Sequence, residues 1–208
     1  MTHLVLLGDS IFDNAAYTEA GPPLVEQIRS LLPSTAIVTL LARDGSICTD
    51  ITQQITLIPR DATHLVLSIG GNDALGALNL LTQPAKTVAD GLRMLANLVA
   101  AFRERHAMAV EACNRSGLPL SICTIYDGRL PDPDLRNLTV PALAAYNDAI
   151  IRNVFQARLP LIDLRLVCTE DTDYANPIEP SSLGGEKIAK VILSQLLTKI
   201  PHQSAVWF

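Results

Sequence analysis

His3-Leu4-Val5-Leu6-Leu7-Gly8-Asp9-Ser10 is the stretch on which the fold turns. Five residues of almost unbroken aliphatic character stop abruptly at a glycine, and polar residues follow at once. Continuous rather than alternating apolarity marks a strand covered on both faces, as in a parallel sheet. The same pattern recurs at Thr35–Leu41, His64–Ile69, Leu118–Thr124 and Leu161–Leu164. Helical periodicity fills the intervals. Pro22–Leu32 follows Gly21, with proline suited to a first turn. The longest helix is expected from near Pro84, with Val88, Leu92, Leu95, Val99, Phe102 and His106 at gaps of three and four on one inward face and Gly117 beyond its end. Another is expected from about Pro141, with Leu143, Tyr146, Ile150 and Val154 on its stripe. The last begins at Ser181 or Ser182, a capping residue, and turns Ile188, Val191 and Ile192 inward. Strand–helix alternation throughout predicts an α/β protein, a three-layer α/β/α sandwich with right-handed crossovers, formed as a single domain over 1–208.

Composition agrees. The 208 residues are 49% hydrophobic and only 18% charged, which excludes a disordered chain, and aromatics at 4% leave an aliphatic core. The net charge of −5, with no run of Lys or Arg, argues against nucleic acid or an anionic membrane as partner. Cys48, Cys113, Cys123 and Cys168 form no C-x-x-C pair and read as free buried thiols. The first apolar run is too short for a secretory signal and none is long enough to span a bilayer, so a cytoplasmic protein is expected. No phosphate-cradling glycine motif is present, and no cofactor is expected. Asp127–Asp134 reads as a rim loop. His202–Phe208 is equally compatible with a docked and an undocked tail.

In parallel sheets ligands gather beyond the carboxyl ends of the strands, so the loops from Gly8, Ala42, Gly70, Ile125 and Arg165 hold the candidate site. Ser10 can be a nucleophile at the sheet edge or simply a helix cap. In Gly70-Gly71-Asn72-Asp73, two glycines let backbone approach a ligand and Asn72 offers an amide donor to an oxyanion, unless it closes an ordinary Asx turn. In Arg43-Asp44-Gly45-Ser46, Gly45 either supplies a further N–H or serves a turn with positive φ.

At these residues the chain resembles the SGNH hydrolases, the GDSL lipase/esterase family. The resemblance implies a flavodoxin-like sandwich with five parallel strands, Ser10 as nucleophile, and an oxyanion hole from the Ser10 and Gly45 amides and the Asn72 side chain. It implies a small-molecule ester as substrate, and Glu170, Asp171, Asp173 and Glu179 disfavour an anionic one. The pattern then breaks. The family's D-x-x-H block corresponds here to Asn176-Pro177-Ile178-Glu179, so Asn176 stands for the aspartate and Glu179 for the histidine. His3 and His64 begin strands, at the wrong end of the sheet; His106 lies deep in a helix; His202 is in the tail. Three readings follow. Glu179 is the base, oriented by an amide N–H of Asn176 donated to its carboxylate, with a rate plateau at lower pH than imidazole gives. Or the oxyanion hole survives without a base, leaving slow esterase activity. Or the pocket binds a ligand without chemistry. Glu170, Asp171 and Asp173 read as a solvated acidic turn, with Asp173 as a possible second carboxylate near Ser10.

Overall fold

The structure, a computed structural model, describes residues 1–19, 21–197 and 205–207. Six parallel strands, β1 (His3–Gly8), β2 (Ile37–Leu40), β3 (His64–Ser68), β4 (Leu120–Cys123), β5 (Leu161–Ile162) and β6 (Val206–Trp207), form one sheet in the order β2-β1-β3-β4-β5-β6. The expected five-stranded sheet thus gains a sixth strand from the tail. Leu161 N–H donates to the Ala205 carbonyl at 2.8 Å, and Asp163 N–H to that of Trp207 at 2.8 Å. Two apolar residues at the end of a polar segment are too short a run to read as a strand. The expected His202 lies outside the described residues.

The pleat divides β1 cleanly. Leu4 and Leu6 pack with Leu24, Ile28, Ile188 and Ile192 on one face; Val5 and Leu7 pack with Phe102, Ala109, Tyr146 and Ile150 on the other. Helices α1 (Leu24–Leu31) and α6 (Ser182–Leu197) cover the first face. The short α2 (Ile51–Gln54) and the long α4 (Val88–Asn114) and α5 (Pro133–Gln156) cover the second, while α3 (Gly71–Leu75) follows β3 directly. Among the described residues no helix is long and apolar enough to cross a membrane.

Local signals set the helix limits. Thr87 and Asp90 form a capping box at the start of α4, and Ser181 Oγ accepts from the N–H groups of Leu183 and Gly184 at the start of α6. α5 starts two turns earlier than expected. Asp132 accepts from the N–H groups of Asp134 and Leu135, Pro133 takes the first turn, and Pro141 lies inside the helix. Pro133 and Asp134 are therefore helical rather than part of the rim loop. The inward face expected of α4 also fails at its start. Val88 is 81% exposed and Leu92 61%, whereas Phe102 and His106 are fully buried. The reason is length: 27 helical residues rise about 40 Å, three times the reach of a four-residue strand. The first turns of α4 stand clear of the sheet.

His106 lies between α4 and α5, its ring 5.7 Å from that of Phe102 and its Nδ1 3.2 Å from the Asn153 amide nitrogen. Nδ1 accepts there, so the proton sits on Nε2, which has no partner among the described residues. Burial lowers its pKa to about 4. Because the folded value lies below the unfolded one of about 6.5, the unfolded chain takes up the proton first as pH falls. Stability attributable to this residue is complete above pH 6.5 and declines toward pH 4, by on the order of 3 kcal/mol. Urea unfolding at pH 7.5 and 4.5 should show the wild-type midpoint falling more steeply than that of His106→Leu; parallel profiles would contradict this account.

Candidate active site

The exit of β1 is built by a glycine without alternatives. Gly8 has φ +133°, and a Cβ there would lie 1.8 Å from the Ser68 carbonyl oxygen across the sheet. Asp9 N–H donates to that same oxygen at 3.2 Å. The chain then turns, the N–H groups of Phe12 and Asp13 donating to the Asp9 carbonyl, while Asp9 Oδ1 accepts from Ile11 N–H. Ser10 is held on this turn, 6% exposed. It begins no helix, and its hydroxyl donates to Glu179 Oε1 at 3.0 Å.

Glu179 reaches this position on a pinned loop. Ala175 N–H donates to the Glu179 carbonyl, Tyr126 hydroxyl to the Ile178 carbonyl at 2.6 Å, and Arg129 N–H to the Pro177 carbonyl at 2.7 Å. Asn176 Oδ1 accepts from the N–H groups of Ile178 and Glu179, both at 2.9 Å. The expected donation from the Asn176 amide to the carboxylate is not formed: Glu179 Oε2 has no partner among the described residues. Asn176 thus orders the Glu179 backbone and leaves the carboxylate alone. An Asx turn satisfies two adjacent amides at once, which outweighs one side-chain contact. Asp173 is no second carboxylate near Ser10. It is completely buried and paired with Lys187 Nζ at 2.7 Å, tying the loop to α6.

Ser10, Asn72 and Glu179 line one cavity, and Asn72 Nδ2 donates to the Ser46 carbonyl at 3.0 Å. Its other amide hydrogen has no such engagement. Gly45 is exposed, with φ +79° and nothing within 4 Å of a built Cβ. It lines a neighbouring cleft with Arg43, Asp44 and Ser46, not the cavity of Ser10. The structure therefore gathers Ser10, Asn72 and Glu179, sets Asn176 behind Glu179, and leaves Gly45 alongside. None of the described histidines lines the cavity.

Asp9, Asp127 and Glu179 line the cavity, and burial raises all three. Burial raises Glu179 to about 7; the Ser10 hydrogen bond opposes this and the Asp44 charge adds to it. Burial raises Asp9 further, to about 8, with the Ile11 N–H opposing and the Glu179 charge adding. Burial and their mutual repulsion both disfavour simultaneous ionisation of Glu179 and Asp9.

Gln54 carries no sequence signal, being one polar residue in a short helix, yet it braces the whole site. Buried in α2, it accepts from Gly8 N–H at 2.8 Å and donates to the Gly8 carbonyl at 2.7 Å and to Ser46 Oγ at 3.3 Å. One amide thus links the Ser10 loop to Ser46, which in turn receives Asn72.

The fold is that of lipases and acylhydrolases of known structure. An extracellular lipase from Streptomyces rimosus superposes with a TM-score of 0.66 at 15% identity, covering 93% of this chain and 99% of that one. A phospholipase A1 from Streptomyces albidoflavus gives 0.70 at 14%, covering 93% and 98%. A lipase/acylhydrolase from Enterococcus faecalis gives 0.68 at 18%, covering 99% and 100%. No curated protein sequence matches the chain. Residues 6–184 match the GDSL-like lipase/acylhydrolase family, and the chain belongs to that family of hydrolases.

Replacing Gln54 by Met should leave the Gly8 N–H buried without a partner, while the Gly8 carbonyl keeps the Arg43 N–H at 3.0 Å. The expected loss is about 1–3 kcal/mol. Urea unfolding measures it, and a loss below 1 kcal/mol would remove Gln54 from the bracing role.

Proposed function

We propose that the protein is a carboxylic ester hydrolase acting on neutral esters, with Ser10 as nucleophile and Glu179 as its base. The observation that carries this is the 3.0 Å hydrogen bond from Ser10 Oγ to Glu179 Oε1. Ionised Glu179 takes the hydroxyl proton as Oγ attacks the ester carbonyl. The tetrahedral oxyanion is held by the Ser10 N–H and the Asn72 amide, while Gly45, the third donor of the family pattern, lies outside the cavity. Collapse of the intermediate expels the alcohol, which leaves with the proton from Glu179. Water then attacks the acyl-serine, gives its proton to Glu179, and releases the acid as Ser10 recovers its hydrogen. Asn176 acts through the backbone of Glu179 rather than on its charge.

Burial changes the expected pH profile. A free glutamate near 4.3 would plateau well below imidazole, whereas a group raised to about 7 titrates where histidine does. Burial therefore moves the titration of the carboxylate toward the range of the missing ring. A second reading, a catalytically degenerate SGNH-fold ligand-binding protein with residual or no esterase activity, is favoured by one observation: Gly45 lies outside the cavity that holds Ser10.

Hydrolysis of p-nitrophenyl butyrate tests the proposal. Ser10→Ala should abolish turnover, and Glu179→Gln should lower kcat by about 10²–10⁴ with little change in KM. In wild type, kcat/KM should rise with pH up to about 7, as the base ionises, and then level off. Unchanged turnover in Ser10→Ala ends the enzyme reading, while unchanged turnover in Glu179→Gln removes only the base. The pair Asn176→Asp with Glu179→His should retain or raise activity if position 179 is where the base belongs.

A further inference from the structure

The loop that leaves β4 is held as firmly as the one at Gly8, and by the same device. Asn147 of α5 is completely buried, and its side-chain amide embraces one backbone unit. Its Oδ1 accepts from the Ile125 N–H at 2.9 Å, and its Nδ2 donates to the Ile125 carbonyl at 2.7 Å. Gln54 grips Gly8 in the same reciprocal way. The next residue, Tyr126, is buried with its ring in the wall of the Ser10 cavity. Its hydroxyl crosses to the Ile178 carbonyl at 2.6 Å, one residue before Glu179.

The rest of the loop follows the same neighbour. A Cβ on Gly128 would lie 2.8 Å from the Pro177 carbonyl oxygen, to which the Arg129 N–H donates at 2.7 Å. The Tyr126 ring stands at 85° to that of Tyr174, with centroids 5.2 Å apart. The Tyr174 hydroxyl in turn lies between the Asp127 and Cys168 carbonyls, at 2.5 and 2.9 Å. Burial first, and then the Glu179 charge, pushes the Tyr126 hydroxyl well above its usual range, so it keeps the proton that it donates while Glu179 titrates.

The Ile178 carbonyl and the Glu179 N–H belong to one rigid peptide unit. Asn176 Oδ1 accepts from its N–H at 2.9 Å, and Tyr126 donates to its oxygen, so the unit is fixed at both ends. The Glu179 side chain springs from this plane toward Ser10. We propose that Tyr126 is a positioning residue of the reaction: braced by Asn147 through Ile125, its hydroxyl fixes the peptide from which Glu179 reaches Ser10. The assignment rests on Glu179 being the base. Asp9 and Tyr17 beyond β1, Asp44 beyond β2 and Tyr126 beyond β4 act on this carboxyl or feel its charge. Loosening the peptide leaves those charges in place but lets water reach the unpartnered Oε2, which weakens the effect of burial and lowers the pH at which Glu179 ionises.

Tyr126→Phe tests this, since it removes the hydroxyl and keeps the ring in the cavity wall. With p-nitrophenyl butyrate, kcat should fall about 10- to 100-fold while KM changes less than about twofold, the expected cost of a displaced group beside an intact wall. NMR of isotope-labelled glutamate side-chain carboxyls reads the base without turnover, its resonance being the one absent from Glu179→Gln. That resonance should titrate at about 7 in wild type and move toward the ordinary glutamate value of about 4.3 in Tyr126→Phe. A hydroxyl that served only stability would lower the urea midpoint without moving this titration. Either kcat or the titration unmoved in Tyr126→Phe overturns the positioning role and leaves Glu179 standing as base. Wild-type turnover in Glu179→Gln overturns the base instead, and the role of Tyr126 falls with it.

Discussion

Gly8 and the Ser68 carbonyl stand closer together than any side chain permits, and the site follows from that contact. With φ +133° at Gly8 and a built Cβ 1.8 Å from the Ser68 oxygen, β1 and β3 can remain paired to their last residues only if position 8 is glycine. The reversal delivers Ser10 to the sheet edge immediately, and the β3 loop delivers Asn72 beside it. Gln54 then locks the Gly8 backbone from the side, pairing both its N–H and its carbonyl. Three loops separated in sequence are held in register by groups that touch no substrate.

Across from this frame, Glu179 depends on burial first, with the Asp44 charge adding to its effect. Its neighbours act on its backbone: Asn176 through an Asx turn, Tyr126 through the preceding carbonyl, Lys187 indirectly through Asp173. The carboxylate itself keeps one oxygen on Ser10 and the other unpartnered. Burial without a compensating cation makes a stronger base of a weak one. On the proposed reading a carboxylate stands where the family pattern has imidazole, its proton affinity raised first by burial.

The layered architecture was legible because buried parallel strands write themselves as unbroken aliphatic runs, and five of six strands were read that way. Val206–Trp207 escaped because a two-residue strand carries no periodicity. Val88 and Leu92 carried a correct helical period and a wrong inference of burial, since periodicity reports a face but not whether anything lies opposite it. Pro141 misled in the other direction: a proline suited to a helix start lies inside one that Asp132 and Pro133 had already begun. Of the candidate site residues, Asn72 was visible because Gly70-Gly71-Asn72-Asp73 is an uncommon run, and Ser10 because it stands with that run at the strand ends. Glu179 was visible only as a departure from a pattern, and its pairing with Ser10 spans most of the chain. Gln54 was invisible, because reciprocal bonding to a backbone unit has no counterpart in local sequence.

The last strand has a consequence for the edge of the sheet. β5 is two residues long, and its outward amides at Leu161 and Asp163 are satisfied by Ala205 and Trp207 alone. That closure is thin. Without β6, the Leu161 and Asp163 amides would present an unpaired parallel edge. The strand that covers them shares no residue with the cavity of Ser10 and Glu179.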